Sequence, residues 1–146
     1  MKNEIDKKIM IVRKLLQIGA YLQKTGARVT KEYGLTQQQF VVLNEIVEKK
    51  TVNQKQLVGE LLFEKSNVSK IVKKLNNSEL IDISISKGDA RLTILSATKK
   101  GEDLRKKCLD SLNELSLEWL DSLSEDEIEK SLNSLSVIRQ LIFKDQ

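Results

Sequence analysis

The chain has 146 residues, 40% of them apolar, no Pro and six Gly, which suits one compact domain built on long uninterrupted helices. It has no histidine, so the commonest general base and metal ligand is missing, and its single cysteine excludes an internal disulfide or a multi-cysteine zinc site. The formal charge of +4 is spread unevenly, and that asymmetry bears on partners.

The first helix is expected from about residue 5 to 32. Ile5, Ile9, Val12, Leu15, Leu16, Gly19 and Leu22 recur along it, with Ile11, Ile18 and Tyr21 on other faces, and Gly34 stops it. A helix apolar around so much of its girth needs more than one packing partner. Three later segments start with one device, a capping residue set between apolar residues with Gln or Glu three positions on. They are Leu35-Thr36…Gln39-Phe40, Val52-Asn53…Gln56-Leu57 and Leu123-Ser124…Glu127-Ile128. Each joins a capping box to a hydrophobic staple. Helices follow over roughly 37–50, 54–62 and 65–78, and the last two form a helix-turn-helix.

In the helix at 65–78, Val68, Ile71, Val72 and Leu75 form one buried stripe. Ser66, Lys70, Lys73 and Asn77 fall on the opposite face, flanked by Asn67 and Lys74. Short polar side chains among lysines suit a DNA major groove, where the former meet base edges and the latter neutralise phosphates. A hairpin follows: Ile81, Ile83 and Ile85 alternate with Asp82, Ser84 and Ser86 as a half-buried strand. Lys87-Gly88-Asp89 turns the chain and Leu92-Thr93-Ile94 resumes the alternation. This wing lifts Lys87 and Arg91 off the core, and a projecting Arg suits a narrow minor groove.

From Thr98, the residues Leu104, Cys108, Leu112, Leu115, Trp119 and Leu123 mark one long helix. Ile128, Leu132, Leu135, Ile138, Leu141 and Ile142 mark the last. The terminal helices are left with bare apolar stripes, which a two-fold dimer buries while setting two recognition helices about one DNA turn apart. Residues 1–50 carry ten basic and five acidic groups, residues 51–100 nine and five, and residues 101–146 six and eleven. The positive field therefore sits on the DNA-binding half.

Enzymatic readings fare poorly. No Gly-rich phosphate loop is present, Gly88 and Gly101 being isolated turn and helix-start residues. The acidic run Glu125-Asp126-Glu127-Glu129 opens a helix, where the macrodipole favours it. No cofactor, metal or membrane partner is implied. Without a signal peptide or an apolar run of transmembrane length, a cytoplasmic protein is expected.

Taken in order, these residues resemble the MarR family of winged helix-turn-helix transcriptional regulators. The resemblance rests on Leu35-Thr36…Gln39-Phe40…Val42-Leu43, Gln56-Leu57, Ser66-Asn67-Val68-Ser69…Val72…Leu75, Leu80-Ile81, Asp89-Ala90-Arg91 and Thr98…Gly101. It spans nearly the whole chain. It implies a mainly α protein with a small β-hairpin wing: one domain in which 35–97 form the DNA-binding lobe, and 1–34 and 98–146 the dimerisation helices. Glu79 stands where the family often has Gly, so the recognition helix is expected to end without a left-handed glycine cap. Ile83 replaces a frequent basic residue, Ala90 replaces Arg, and Ala97 replaces a Leu, which thins the wing's positive charge.

The function so implied is a homodimeric, sequence-specific regulator, a repressor of a pseudo-palindromic duplex site. Lys65, Ser66, Asn67, Ser69, Lys70, Lys73 and Lys74 serve the major groove and its phosphates, and Lys87 and Arg91 the wing contact. Asn53 and Gln54 offer backbone amides to a phosphate. The family's usual effector pocket maps to Tyr21, Arg28, Phe40 and Leu112, with a phenolic or carboxylate ligand using Arg28. Two rivals stand beside this. One is a helical protein-interaction module that has lost DNA binding. The other is a redox switch at Cys108, whose neighbours Arg105, Lys106 and Lys107 would lower the thiol pKa if the sulfur were reachable. Family members that sense oxidants carry their cysteine near the start of the first helix, and this chain has none there.

Overall fold

Thr36, Asn53 and Ser124 each hold the reciprocal pair of hydrogen bonds that their spacing specifies, and these caps place three of the helices. Thr36 Oγ1 accepts from the Gln39 N–H at 3.1 Å, while Gln39 Oε1 accepts from the Thr36 N–H at 3.0 Å. Asn53 and Gln56 repeat the arrangement at 2.8 and 2.9 Å, and Ser124 and Glu127 at 3.2 and 2.9 Å. The structure is a computed structural model that describes residues 2–89 and 91–144; Ala90, the middle of the wing triplet, lies outside the described residues.

The order is α1 (Lys2–Glu32), α2 (Gln37–Lys49), α3 (Gln54–Leu61), α4 (Lys65–Asn77), β1 (Ile81–Ile85), β2 (Thr93–Ala97), α5 (Lys99–Leu120) and α6 (Glu125–Ile142). The protein is thus mainly α with one antiparallel hairpin, as the sequence implies. Gly34, at φ +75°, lets the chain leave α1. The core lies under the helix-turn-helix. Val42, Leu43 and Ile46 of α2 meet Leu57 of α3 and the stripe Val68, Ile71, Val72 and Leu75 of α4, all buried. Leu80, Ile81, Leu95 and Cys108 close it from the hairpin and α5.

The hairpin pairs Ile81 with Ala97 through to Ile85 with Thr93. Val52, in the link between α2 and α3, exchanges two backbone hydrogen bonds with Leu95 (3.1 and 2.7 Å) and anchors the base of the wing. Here the structure departs from the sequence pattern. Ile81 is buried, but Ile83 is exposed and Ile85 is 68% exposed. The alternation is real, yet only the base of the hairpin lies over the core; beyond it, the apolar face has nothing to pack on. The long helix is also shorter than its periodicity suggests. α5 ends at Leu120, and Leu123 belongs to the turn that leads into the α6 cap.

The end of α4 shows a second departure. Its left-handed cap is present, occupied by Glu79 at φ +62°. The Glu79 N–H donates to the Asn76 carbonyl and the Leu80 N–H to the Leu75 carbonyl, both at 3.0 Å, with Leu75 and Leu80 both buried. This is a complete Schellman closure with a carboxylate residue in the glycine position. The start of α5 docks onto that turn. Thr98 Oγ1 donates to the Glu79 carbonyl at 2.7 Å, and the Thr98 N–H donates to the Leu80 carbonyl at 3.1 Å. Gly101 follows, so close that a Cβ there would overlap the Leu80 carbonyl oxygen and lie 2.9 Å from its carbon.

Two substitutions at this joint have opposite expected signs. Gly101→Ala forces α5 off the turn and destabilises the protein by about 2–3 kcal/mol or more, because rigid backbone cannot yield as a side chain would. Glu79→Gly relieves the left-handed strain, offset by glycine's extra chain entropy, for a net gain of up to about 1 kcal/mol. Thermal denaturation reads both, and the second corresponds to a rise of roughly 3 °C.

Candidate nucleic-acid interface

The turn before α4 passes through Leu62 in a left-handed conformation, and Glu64 takes the N-cap position with no side-chain cap bond. From there, amphipathic spacing turns Val68, Ile71, Val72 and Leu75 inward and leaves Lys65, Ser66, Ser69, Lys70, Lys73, Lys74 and Asn77 exposed, with Asn67 half-buried. Among the described residues, every ion pair lies elsewhere: Lys49–Glu60, Lys99–Asp103, Arg105–Glu48, Lys106–Asp110 and Lys130–Asp126. The lysines of α4 thus keep their charge available to an outside anion.

Two side chains from neighbouring helices reach this face. Gln54 of α3 donates through Nε2 to Ser69 Oγ at 2.5 Å. Asn67 donates through Nδ2 to Oε1 of Gln38, on the first turn of α2, at 2.9 Å. The sequence does not mark Gln38, since its capping-box neighbour Gln39 carries the local signal and only the packing of α2 against α4 brings it here. At the start of α3, Asn53 spends its carboxamide oxygen on the Gln56 N–H and its own N–H on Gln56 Oε1. Its backbone amide is therefore engaged within the capping box, unlike the expectation that it offers itself to a phosphate, and the amides of Gln54 and Lys55 are the ones of this turn without an intrahelical partner.

On the wing, Lys87 and Arg91 are both exposed. Asp89 Oδ1 accepts from the backbone N–H of Arg91 at 3.0 Å. The carboxylate thus shapes the turn through the main chain, and the guanidinium forms no ion pair among the described residues.

Of the four effector-pocket candidates, the structure brings two together. Phe40 and Leu112 line a recess of about 150 Å³ between α1, α2 and α5, shared with Thr25, Gly26, Thr30 and Gln37. Tyr21 is 50% exposed and Arg28 is exposed; neither lines the recess. Cys108 is buried completely, and burial pushes its thiol up to about 11. Its basic neighbours do not reach it. Arg105 binds Glu48 and, at 2.9 Å, Asn44 Oδ1, both on α2, and Lys106 pairs with Asp110 at 2.9 Å. With burial rather than a neighbouring cation setting the thiol's shift, and two of the three basic neighbours engaged elsewhere, the electrostatic support for the redox reading is weakened.

A helix-turn-helix whose second helix is basic, followed by an antiparallel wing and flanked by long helices, defines the winged helix-turn-helix class. The sequence pattern of the MarR family matches residues 33–92. Over 108 residues the chain is 33% identical to the HTH-type transcriptional regulator MgrA of Staphylococcus aureus, which covers 74% of this chain and 71% of that protein. The chain belongs to the MarR family of transcriptional regulators. Among solved structures, a MarR family transcriptional regulator from Listeria monocytogenes complexed with a 26mer DNA superposes with a TM-score of 0.84 at 25% identity, covering 92% and 89% of the two chains. A Staphylococcus aureus MarR in complex with salicylate and kanamycin shares the fold at TM-score 0.86 and 19% identity, covering 99% and 97%.

Because the folded thiol titrates higher than the 9.0 of a free cysteine, its neutral form stabilises the protein fully below about pH 9 and progressively less as pH rises towards 11. The expected result is that native protein resists alkylation at pH 8 and reacts once per chain after denaturation. Between pH 9 and 11 the wild type loses stability relative to Cys108→Ala.

Proposed function

We propose that the protein is a homodimeric repressor that binds a pseudo-palindromic duplex site through α4 and loses affinity when a small aromatic effector binds. The observation that carries this reading is the α4 face, where exposed lysines, none of them in an ion pair among the described residues, surround Ser66, Asn67 and Ser69. Lys65, Lys70, Lys73 and Lys74 would neutralise phosphates while the short polar side chains meet base edges. The amides that open α3 at Gln54 would hold one further phosphate, and Arg91 and Lys87 would reach the neighbouring minor groove. The DNA complex of the Listeria regulator supports this use of the fold.

Residues 35–97 would act as the reading lobe, with 1–34 and 98–146 as the dimerisation helices. The support is exposed apolar surface at both ends: Ile5, Ile9, Val12 and Leu16 on α1, and Leu132, Leu135, Leu141 and Ile142 on α6, where no residue is buried. Such area on a lone chain marks an interface. The recess at Phe40 and Leu112 is of a size that holds a single aromatic ring, and Gln37 supplies it with a polar group. Tyr21 and Arg28 lie outside its lining. The salicylate complex of the staphylococcal MarR supports this ligand class. A ligand wedged there would favour a spacing of the two α4 helices unsuited to B-DNA.

The test is fluorescence anisotropy on duplex from upstream of the protein's own gene, beside a scrambled duplex, over a range of salt. Specific binding that is roughly a thousandfold tighter than to the scrambled duplex is expected. Lys70→Ala and Lys73→Ala should each lower the magnitude of the slope of log K against log salt by about two, one phosphate contact being lost in each half-site of the dimer. Arg91→Ala should have a smaller effect than either. Leu132→Glu with Leu135→Glu should give a monomer in sedimentation equilibrium and abolish the preference for the specific duplex. No binding at low salt would overturn the proposal in favour of an interaction module.

A further inference from the structure

Asn67 and Gln38 come from different helices, yet their carboxamides form one unit. Asn67 Nδ2 donates to Gln38 Oε1 at 2.9 Å, which leaves Gln38 Nε2 as a donor and Asn67 Oδ1 as an acceptor. If both amides were rotated by half a turn, the pair would still bond and still leave one donor and one acceptor. A donor beside an acceptor is what the major-groove edge of adenine requires, with its N7 acceptor and its N6 donor. On the far side of the same face, Gln54 bonds Ser69 and leaves its Oε1 free. Both clamps lie over a stretch of α4 that lacks a side-chain cap at Glu64, so tertiary contacts, rather than the helix's own cap, fix these side chains.

We infer that Gln38, on α2, is a specificity-determining residue: with Asn67 it forms a two-helix amide pair that reads one adenine of each half-site. This rests on the DNA-binding reading above and adds to it a residue outside the recognition helix. A merely structural staple between α2 and α4 would also use this bond, but it would not confer a preference at one base pair.

The experiment is binding-site selection from a random duplex pool with wild type, Gln38→Ala, Asn67→Ala and the double variant, followed by anisotropy on duplexes that differ only at the selected adenine. Wild type should enrich one adenine in each half-site and bind its A·T to G·C variant about tenfold or more weakly. Gln38→Ala and Asn67→Ala should each remove most of that discrimination at the same position, the double variant should add little, and the salt slope should stay unchanged. Replacing that adenine by 7-deazaadenine should weaken wild type and leave Gln38→Ala indifferent. A pool enriched equally by wild type and Gln38→Ala overturns the inference, as does a uniform loss across all sequences with a reduced salt slope, which marks a phosphate contact. If wild type enriches no motif, the DNA-binding reading fails and takes the inference with it.

Discussion

The start of α5 can lie where it does only because residue 101 has no side chain. The carbonyl of Leu80 occupies the place of its Cβ, and Thr98 bonds both Glu79 and Leu80 from the same turn of helix. Lys100 adds a bond to the Ser78 carbonyl at 3.0 Å. Three consecutive carbonyls at the end of the recognition helix are thus held by the first turn of the helix that leads away from the lobe. Farther along α5, Arg105 grips Asn44 and Glu48 of α2, and Ser111 meets the Tyr33 hydroxyl at the end of α1. The first half of α5 is therefore fastened to the helix-turn-helix and to the end of α1. A rigid close contact of this kind transmits rotation, because packed backbone has no soft side chain to absorb it. In the proposed dimer, any tilt of α5 would carry α4 with it.

Beyond Ser111 the character of the chain changes. Leu117 and Trp119 are exposed, no residue of α6 is buried, and the first half of α1 is bare. The buried residues that make the core belong almost wholly to 35–108. The core and the exposed apolar surface thus fall on different stretches of chain, and the recess at Phe40 and Leu112 lies at the border between them. In the proposed dimer, a ligand at such a border would bias the angle between lobe and terminal helices without disturbing the core, which is the geometric requirement for differential affinity between two arrangements.

What was legible in the sequence was local. Capping boxes at Thr36, Asn53 and Ser124 involve four adjacent residues, and the α4 stripe needs only a period of 3.6, so both could be read directly. What was not legible depended on how far each element extends over the core. Ile83 and Ile85 alternate as a buried strand does, yet the hairpin outreaches its support. Glu79 lacks the glycine signal, yet the Leu75–Leu80 contact and the docking of Thr98 hold it left-handed regardless. Gly101 read as an ordinary helix-start residue because the Leu80 carbonyl it accommodates is twenty-one residues earlier in the chain. The link from Asn67 to Gln38 spans a similar gap and leaves no trace in spacing.

In the proposed complex, the charge at the starts of α3 and α4 would give the two helices different work. Glu64 stands at the N-terminus of α4 with its carboxylate unused by the cap, a fixed negative charge beside the positive end of the helix dipole. That stabilises α4 but weakens its first turn as a phosphate cradle. The start of α3 has a neutral Asn53 cap and Lys55 one residue after Gln54, so a phosphate there would meet unopposed amides and a cation. With wing charge thinned to Lys87 and Arg91, backbone anchoring would fall to α3 and to the lysines farther along α4. In the first turn of α4, Lys65 would still reach a phosphate through its side chain, while Ser66 and Asn67, the latter braced by Gln38, would be left to read bases.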